Sequence, residues 1–319
     1  MSTSNAQNRA EPGRLVSESE LDSPGEAEET VDKQTRGFWL GTMTLFLALG
    51  LCVGCGSSGE DDYAERMATE HEGDEPVASG AAGQDPGADV EGEEVVYAEV
   101  GGVPVTGYLA KPAGGGSGLP GIIVIQEWWG LNDNIRSMAR QLAGQGYTAL
   151  AVDLYQGQVA TDPETARSLM SDSMGREADL EQNLQQAYAY LTDQTAAPRV
   201  GVIGWCFGGG WSLRTALMLP GEIDGAVIYY GRLNTDRDRL ATLDVPVLGI
   251  FGAEDGGIPI ESVREFEAVL NDLGKDAHVV VYDGAEHAFA NPSGTRYDAE
   301  AAEDAWAKTL AFFEKHLEP

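Results

Sequence analysis

One cysteine lies in a setting that favours chemistry. Cys206 occupies the stretch GWCFGGG, which directly follows an apolar run over residues 200–205. Small residues on both sides of a central nucleophile are typical of a sharp strand-to-helix turn, because a Cβ would not fit where strand and helix meet. The dipole and the free N–H groups of the following helix would favour a thiolate. The motif therefore predicts a nucleophile, and a buried structural cysteine is the alternative that it leaves open.

A cysteine nucleophile needs a base, and the base needs an acid to orient it. His287 follows the last predicted strand, whereas the other histidines beyond residue 71 fall at the start of a strand or inside a helix. Asp255 follows the preceding strand, with Glu254 as its close competitor and a solvated turn residue as the alternative reading. The order Cys206, Asp255, His287 is the nucleophile, acid, histidine order of α/β-hydrolases. The three residues predict a Cys-His-Asp triad.

A second carboxylate lies beside two tryptophans. Glu127 is part of QEWWG, at the end of the apolar run 122–126. Desolvation there would raise its pKa and let it accept a thiol proton near neutral pH. The alternative is an exposed glutamate that caps the next helix. Four aromatic residues near these motifs are expected to wall the site, although core packing explains each of them equally well: Trp128, Trp129, Trp205 and Phe289.

Strand and helix patterns alternate along residues 95–319. Short apolar runs rich in β-branched and aromatic residues predict six strands, at 122–126, 149–153, 200–205, 226–230, 247–251 and 278–282. Helical patterns lie between and after them, at 132–145, 177–192, 207–219, 260–273 and 299–316. An alternating stretch over 95–111 predicts an antiparallel hairpin. The order predicts one α/β domain with a doubly wound, mostly parallel sheet, helices on both faces and an antiparallel N-terminal edge. In such sheets reactive groups gather at the carboxyl ends of the strands.

Composition excludes several classes of protein. The 319 residues carry a formal charge of −32, which disfavours a nucleic acid partner because such a surface repels polyanions. The chain has 3 cysteines and 4 histidines, too few for a disulfide scaffold and few for a zinc site. We expect no metal, no cofactor and a monomer.

The first 94 residues differ from the rest. Residues 1–36 and 56–94 are polar, and the second stretch is rich in Gly, Ala, Ser and acidic residues, so both are predicted to be disordered, the second as a tether. Residues 37–55 form an apolar signal or anchor segment. Small residues before Cys55 resemble a bacterial lipoprotein signal, and basic residues lie just upstream of the segment with none downstream until Arg66. The departures are Cys52 at position −3 and a long preceding region. An uncleaved anchor and a buried helix are the alternatives. The expectation is a membrane-anchored domain outside the cytoplasm.

The motifs together closely resemble the dienelactone hydrolase family. The resemblance rests on five motifs and covers residues 95–319: QEWWGLND, ALAVDLY, GWCFGGG, FGAEDGGIP and EHAFANP. It implies an α/β-hydrolase fold and hydrolysis of a small ester or lactone through an acyl-enzyme. It also implies Cys206 as nucleophile, His287 as base and Asp255 as its orienter. Glu127 would interact with the thiol, and the backbone N–H groups of Phe207 and Trp128 would form the oxyanion hole.

One position departs from the family pattern. The family's type enzyme holds a substrate carboxylate with arginines, one of them shortly after the histidine, where this chain has Asn291. Arg296 is nearby but cannot be placed from the sequence, and Arg167 is one candidate for a second arginine. An uncharged site would favour a neutral ester or lactone. A thiol redox protein that reacts with peroxide and a hydrolase-like binding module without turnover are the alternative functions.

Overall fold

Eight strands form one sheet in the computed structural model, which describes residues 58–74 and 89–318. The described residues belong to the compact unit Cys55–Pro319. Their strands are β1 Val90–Val100, β2 Val103–Pro112, β3 Gly121–Ile125, β4 Thr148–Ala151, β5 Val200–Trp205, β6 Gly225–Tyr229, β7 Val247–Gly252 and β8 Ala277–Tyr282. Their spatial order is β1-β2-β4-β3-β5-β6-β7-β8.

Strands β3 to β8 run parallel to one another. All residues of β3, β4, β5, β6 and β7 are buried, which explains their continuous apolar sequences: a parallel strand covered on both faces has no polar side. Strands β1 and β2 form an antiparallel hairpin, and β2 pairs antiparallel with β4. The predicted α/β-hydrolase fold with an antiparallel N-terminal edge is confirmed.

Helices cover the sheet. They are α1 Ser58–Glu70, α2 Asp133–Gly144, α3 Pro163–Met174, α4 Glu177–Gln194, α5 Phe207–Met218, α6 Arg237–Ala241, α7 Ile260–Asp272 and α8 Ala299–Leu317. The sequence analysis did not predict α1, α3 or α6. Helix α3 begins with the capping residue Asp162, whose side chain accepts from the Thr165 N–H, and a proline in its first turn, so its start signal was present in the sequence.

Helix α1 lies within residues 56–94, where the sequence analysis predicts a disordered tether. For residues 58–74 the structure corrects that prediction, since Tyr63, Ala64 and Met67 are buried against the domain. The end of the predicted tether is also ordered, because β1 begins at Val90 and pairs with β2. The apolar segment 37–55 lies outside the described residues. Within the ranges 58–74 and 89–318, the structure contains no helix that is both long and apolar enough to cross a bilayer.

Candidate active site

Cys206 occupies the turn between β5 and α5. Its φ of 55° and ψ of −116° place it in a region that residues other than glycine rarely adopt, which is the strained geometry of a nucleophile turn. A side chain at Gly208 would collide with the backbone of Ile125 and Gln126, so a glycine is required there. The Cys206 side chain is fully buried at the carboxyl end of β5. The strand-to-helix turn that the sequence predicts at this residue is present, since β5 ends at Trp205 and α5 begins at Phe207.

His287 and Asp255 follow β8 and β7 and form a buried pair. His287 Nδ1 donates to Asp255 Oδ2 at 2.8 Å. Asp255 Oδ1 accepts from the backbone N–H groups of Gly257 and Ile258 at 2.9 and 2.8 Å. These bonds fix the carboxylate and hence the imidazole. Glu254, the competing acid, is exposed, so Asp255 is the residue that orients the histidine.

The histidine and the thiol influence each other's protonation. Burial alone would raise the pKa of Cys206, but the charge and hydrogen bonding of His287, with a smaller contribution from His71, lower it to about 6. Burial opposes a charge on His287, whereas Asp255 and Cys206 together raise its pKa to about 10. Both directions favour a thiolate beside an imidazolium, which is the activated form of a cysteine nucleophile.

Glu127 is buried near the thiol, as predicted. Burial, followed by the charge of Cys206, raises its pKa to about 7. Asn291 Nδ2 donates to Glu127 Oε2 at 2.9 Å, while Asn291 Oδ1 accepts from the N–H and hydroxyl of Ser293. The side chain of Asn291 therefore holds Glu127, a role that the sequence analysis did not assign to it.

The four aromatic residues that were predicted to wall the site have different surroundings. Trp128 and Trp129 are buried and lie edge to face, with ring centroids 4.9 Å apart. Phe289 contacts Tyr230, whose ring in turn lies 5.2 Å from that of His287, so Phe289 supports the site from behind. Trp205 packs on Tyr229, with ring centroids 5.4 Å apart, as a core residue does.

The predicted oxyanion hole combines two backbone groups. Trp128 follows the carboxyl end of β3, and Phe207 is the first residue of α5. The first N–H groups of a helix have no partner within the helix, which leaves that of Phe207 free to bind an anion. Both residues lie at the end of the sheet where Cys206 turns.

The described N-terminal residues bring an unpredicted group to the nucleophile. We call residues 58–74 the N-terminal segment. Its Met67 Sδ lies 3.7 Å from Cys206 Sγ, and its His71 Nε2 lies 3.8 Å from the same sulfur. The ring of His71 stacks on Trp128, with centroids 4.2 Å apart. The N-terminal segment thus occupies the space directly over the thiol.

Polar contacts hold the end of the N-terminal segment. His71 Nδ1 donates to Asp74 Oδ2 at 2.8 Å, and the Arg296 guanidinium donates to the same oxygen at 2.8 Å. Thr295 donates to Asp74 Oδ1 at 2.8 Å, and Arg296 also donates to the carbonyl of Glu70. Burial opposes the charge of Asp74, but these hydrogen bonds and the charge of Arg296 lower its pKa.

The two arginines singled out in the sequence have different surroundings. Arg296 is 15% exposed and its Nε donates to the His287 carbonyl, which places it beside the triad. Arg167 is 54% exposed and pairs with Glu65 of helix α1 at 2.9 Å. Arg296 is thus a candidate for binding a substrate carboxylate, and Arg167 contacts the N-terminal segment from outside.

The N-terminal segment closes the site. Cys206 and His287 are both 0% exposed, and a side chain at Gly257 would collide with the end of Met67. No substrate carbonyl can therefore reach the sulfur while the segment is in place. The signal in the sequence was Tyr63, Ala64 and Met67, which form a narrow apolar stripe on one face of a helix.

Comparison with known proteins decides the family. The profile of the dienelactone hydrolase family matches residues 105–317. The chain belongs to this family. Protein usf of Aquifex pyrophilus is 35% identical over 231 residues, covering 70% of this chain and 99% of the relative. A candidate carboxymethylenebutenolidase of Aquifex aeolicus is 30% identical, with 70% of this chain and 99% of the relative covered.

Solved structures support the same assignment. The crystal structure of a candidate dienelactone hydrolase from Klebsiella pneumoniae has a TM-score of 0.65 and 29% identity, and covers 71% of this chain and 99% of that one. This dienelactone hydrolase family member is therefore a hydrolase enzyme.

Proposed function

We propose that the chain hydrolyses a carboxylic ester or lactone through an acyl-enzyme on Cys206. The observation that carries the proposal is the buried His287–Asp255 pair, whose free ring nitrogen faces the thiol at a strained strand-to-helix turn. A base oriented by an acid and directed at a nucleophile is the arrangement that acyl transfer requires.

The reaction has two halves. The Cys206 thiolate attacks the carbonyl carbon, and the backbone N–H groups of Trp128 and Phe207 stabilise the oxyanion. The C–O bond then breaks, and the alkoxide takes a proton from His287 Nε2. In the second half His287 accepts a proton from water, the hydroxide attacks the thioester, and the acid leaves while the thiolate re-forms. With a lactone the alcohol and the acid are parts of one product.

Glu127 acts on the thiol in this proposal. Its carboxyl group has a pKa of about 7 and is held by Asn291, so it can exchange a proton with the Cys206 sulfur near neutral pH.

Substrate entry requires the N-terminal segment to move. Once Asp74 leaves Arg296, the guanidinium is free beside the triad and able to bind a carboxylate. We therefore propose an ester or lactone that carries a carboxylate, in place of the neutral substrate that Asn291 suggested in the sequence. The relative from Aquifex aeolicus, by its name a candidate carboxymethylenebutenolidase, supports this choice.

The location of the enzyme is a separate proposal. We propose that Cys55 is lipidated and anchors the domain on the outer side of a membrane, on the strength of the apolar segment and its basic flank. Metabolic labelling with a fatty acid should mark the wild type and the Cys52→Ala variant, and should not mark Cys55→Ala. Equal labelling of Cys52→Ala and Cys55→Ala would contradict it.

Steady-state hydrolysis by the full chain tests the function. Dienelactone and a neutral short-chain ester are compared, with Cys206→Ala as the blank and Cys52→Ala as the matched control. We expect Cys206→Ala to lose about 10³-fold or more of kcat/KM and Cys52→Ala to retain it. Turnover that survives in Cys206→Ala would overturn the nucleophile, and peroxide consumption without hydrolysis would favour the redox alternative.

A further inference from the structure

Two histidines and a cysteine converge at the closed site. One ring nitrogen each of His71 and His287 and the Sγ atom of Cys206 all lie within 4.8 Å of one another, and all three residues are buried. The hydrolase mechanism uses only one of the two histidines, so His71 is an extra donor next to the thiol.

Both histidines are oriented in the same way. Nδ1 of His71 donates to Asp74 and Nδ1 of His287 donates to Asp255, each at 2.8 Å. The Nε2 side of each ring is thereby turned toward the sulfur, where an ion would replace the Nε2 proton, and His287 Nε2 is buried with no nitrogen or oxygen partner among the described residues. A carboxylate behind a histidine is the usual support of a metal-ligating imidazole, because it fixes the ring and raises its basicity.

The spacing suits a tetrahedral ion. Zn–S and Zn–N bonds of ordinary length at a tetrahedral angle place sulfur and nitrogen about 3.6 Å apart. Cys206 Sγ and His71 Nε2 are 3.8 Å apart. An ion could therefore bind both of these atoms with a movement of a few tenths of an ångström, and a small rotation of His287 would complete the triangle.

A fourth donor is also in place. Met67 Sδ lies 3.7 Å from Cys206 Sγ, and Met67 is fully buried. Two imidazoles, one thiolate and one thioether form a soft to borderline donor set, which favours zinc and copper over magnesium or calcium.

We propose that His71, Cys206 and His287, with Met67 as a weaker fourth donor, bind one thiophilic transition-metal ion, zinc(II) or copper(I). The ion would hold the N-terminal segment over the domain, because two of its donors come from each part. If the proposed function is correct, the ion also blocks hydrolysis, since a metal-bound thiolate is not free to attack a carbonyl.

Cobalt(II) is the probe for the zinc-type site. The full chain, stripped with a chelator and reduced, is titrated with cobalt(II) under argon while the near-ultraviolet thiolate-to-cobalt charge-transfer absorption is recorded. We expect this absorption to saturate at one ion per chain, and zinc(II) to displace the cobalt. Copper(I) is tested by competition with a chromogenic copper(I) chelator, which separates the two ions.

Variants assign the ligands. His71→Ala is expected to weaken binding by about 100-fold or more, and Asp74→Asn by about 10- to 100-fold, as loss of a supporting carboxylate does. His278→Ala removes an exposed histidine of β8 and should bind as the wild type does. Circular dichroism checks that each variant is folded. Because His71 lies in the N-terminal segment and outside the sheet, its replacement is expected to leave the sheet folded.

Two results would overturn the proposal. One is a wild type that shows no cobalt charge-transfer absorption and does not compete for copper(I), and the other is equal affinity in His71→Ala and His278→Ala. Neither depends on substrate turnover. A saturating absorption together with no Cys206-dependent hydrolysis by the metal-free protein would refute the proposed function and leave the metal site standing.

Discussion

Two His–Asp pairs flank one thiol, and they differ in what holds them. His287 and Asp255 come from loops after neighbouring strands, and both side chains are 0% exposed. His71 and Asp74 are three residues apart at the end of the N-terminal segment, and they have the same 2.8 Å contact. The first pair is positioned by the sheet, whereas the second is positioned by contacts that the segment makes with the surface of the domain.

The difference shows which pair can move. Backbone N–H groups of the Asp255 loop hold the first pair, so it cannot leave without unfolding part of the domain. The second pair is held by Arg296, Thr295 and the stacking of His71 on Trp128, all of which can be released with the fold intact. A histidine supported by a carboxylate is therefore fixed in place on one side of the thiol, whereas on the other side it can leave with the N-terminal segment.

The largest expected effect separates the two histidines. His287→Ala should lower kcat/KM by about 10²- to 10⁴-fold, the usual contribution of a general base. His71→Ala should raise it, because the variant loses the stacking and the polar contacts that close the site. Steady-state kinetics on an ester substrate measures both. A comparable loss in His71→Ala would make the second histidine part of the catalytic machinery and erase the distinction.

A charge placed under the N-terminal segment should open the site. Met67→Asp would bury a carboxylate beside the Cys206 thiolate, which costs the closed state about 1–3 kcal/mol or more. Since 1.4 kcal/mol corresponds to a factor of ten, we expect kcat/KM to rise about tenfold.

Thr69→Asp is the matched control for the opened segment. It adds the same charge to the same helix at an exposed position and should leave the rate as it is. Equal rates in Met67→Asp and Thr69→Asp would show that the closed state does not limit turnover.

The sequence analysis predicted the site residues that follow the strands of the sheet and missed those that the N-terminal segment contributes. The strands before Cys206 and Asp255 are buried along their whole length, so their sequences are continuous apolar runs. Strand β8, which precedes His287, lies at the edge of the sheet and has only exposed or half-buried residues. Such a pattern depends on local sequence alone. The positions of Cys206, Asp255, His287 and Glu127 followed from it, and the structure brings them together.

His71 could not be found in the same way. Its segment is acidic, has only a few apolar residues, and is docked by a surface that exists only after the sheet has formed. The role of Asn291 was missed for a related reason: its amide contacts Glu127, which is 164 positions away in the sequence. Contacts of this kind depend on the tertiary fold. The apolar stripe of the N-terminal segment indicates a helix, but it does not show against which surface the helix packs.

The smallest expected effect concerns Arg296, whose guanidinium we propose binds a substrate carboxylate once Asp74 has moved away. Arg296→Gln should release the N-terminal segment and also remove the guanidinium that we propose binds the substrate carboxylate. Release affects every substrate equally, so the ratio of kcat/KM for dienelactone to that for a neutral ester isolates the second effect. We expect this ratio to fall about fivefold, corresponding to about 1 kcal/mol.

Arg167→Gln serves as the control, because Arg167 contacts Glu65 of the N-terminal segment and lies on the exposed side. It should raise both rates slightly and leave their ratio unchanged. If Arg296→Gln also leaves the ratio unchanged, Arg296 serves only to hold Asp74. Arg296 would then only hold the His71–Asp74 pair in place, and any preference for an anionic substrate would have to come from another group.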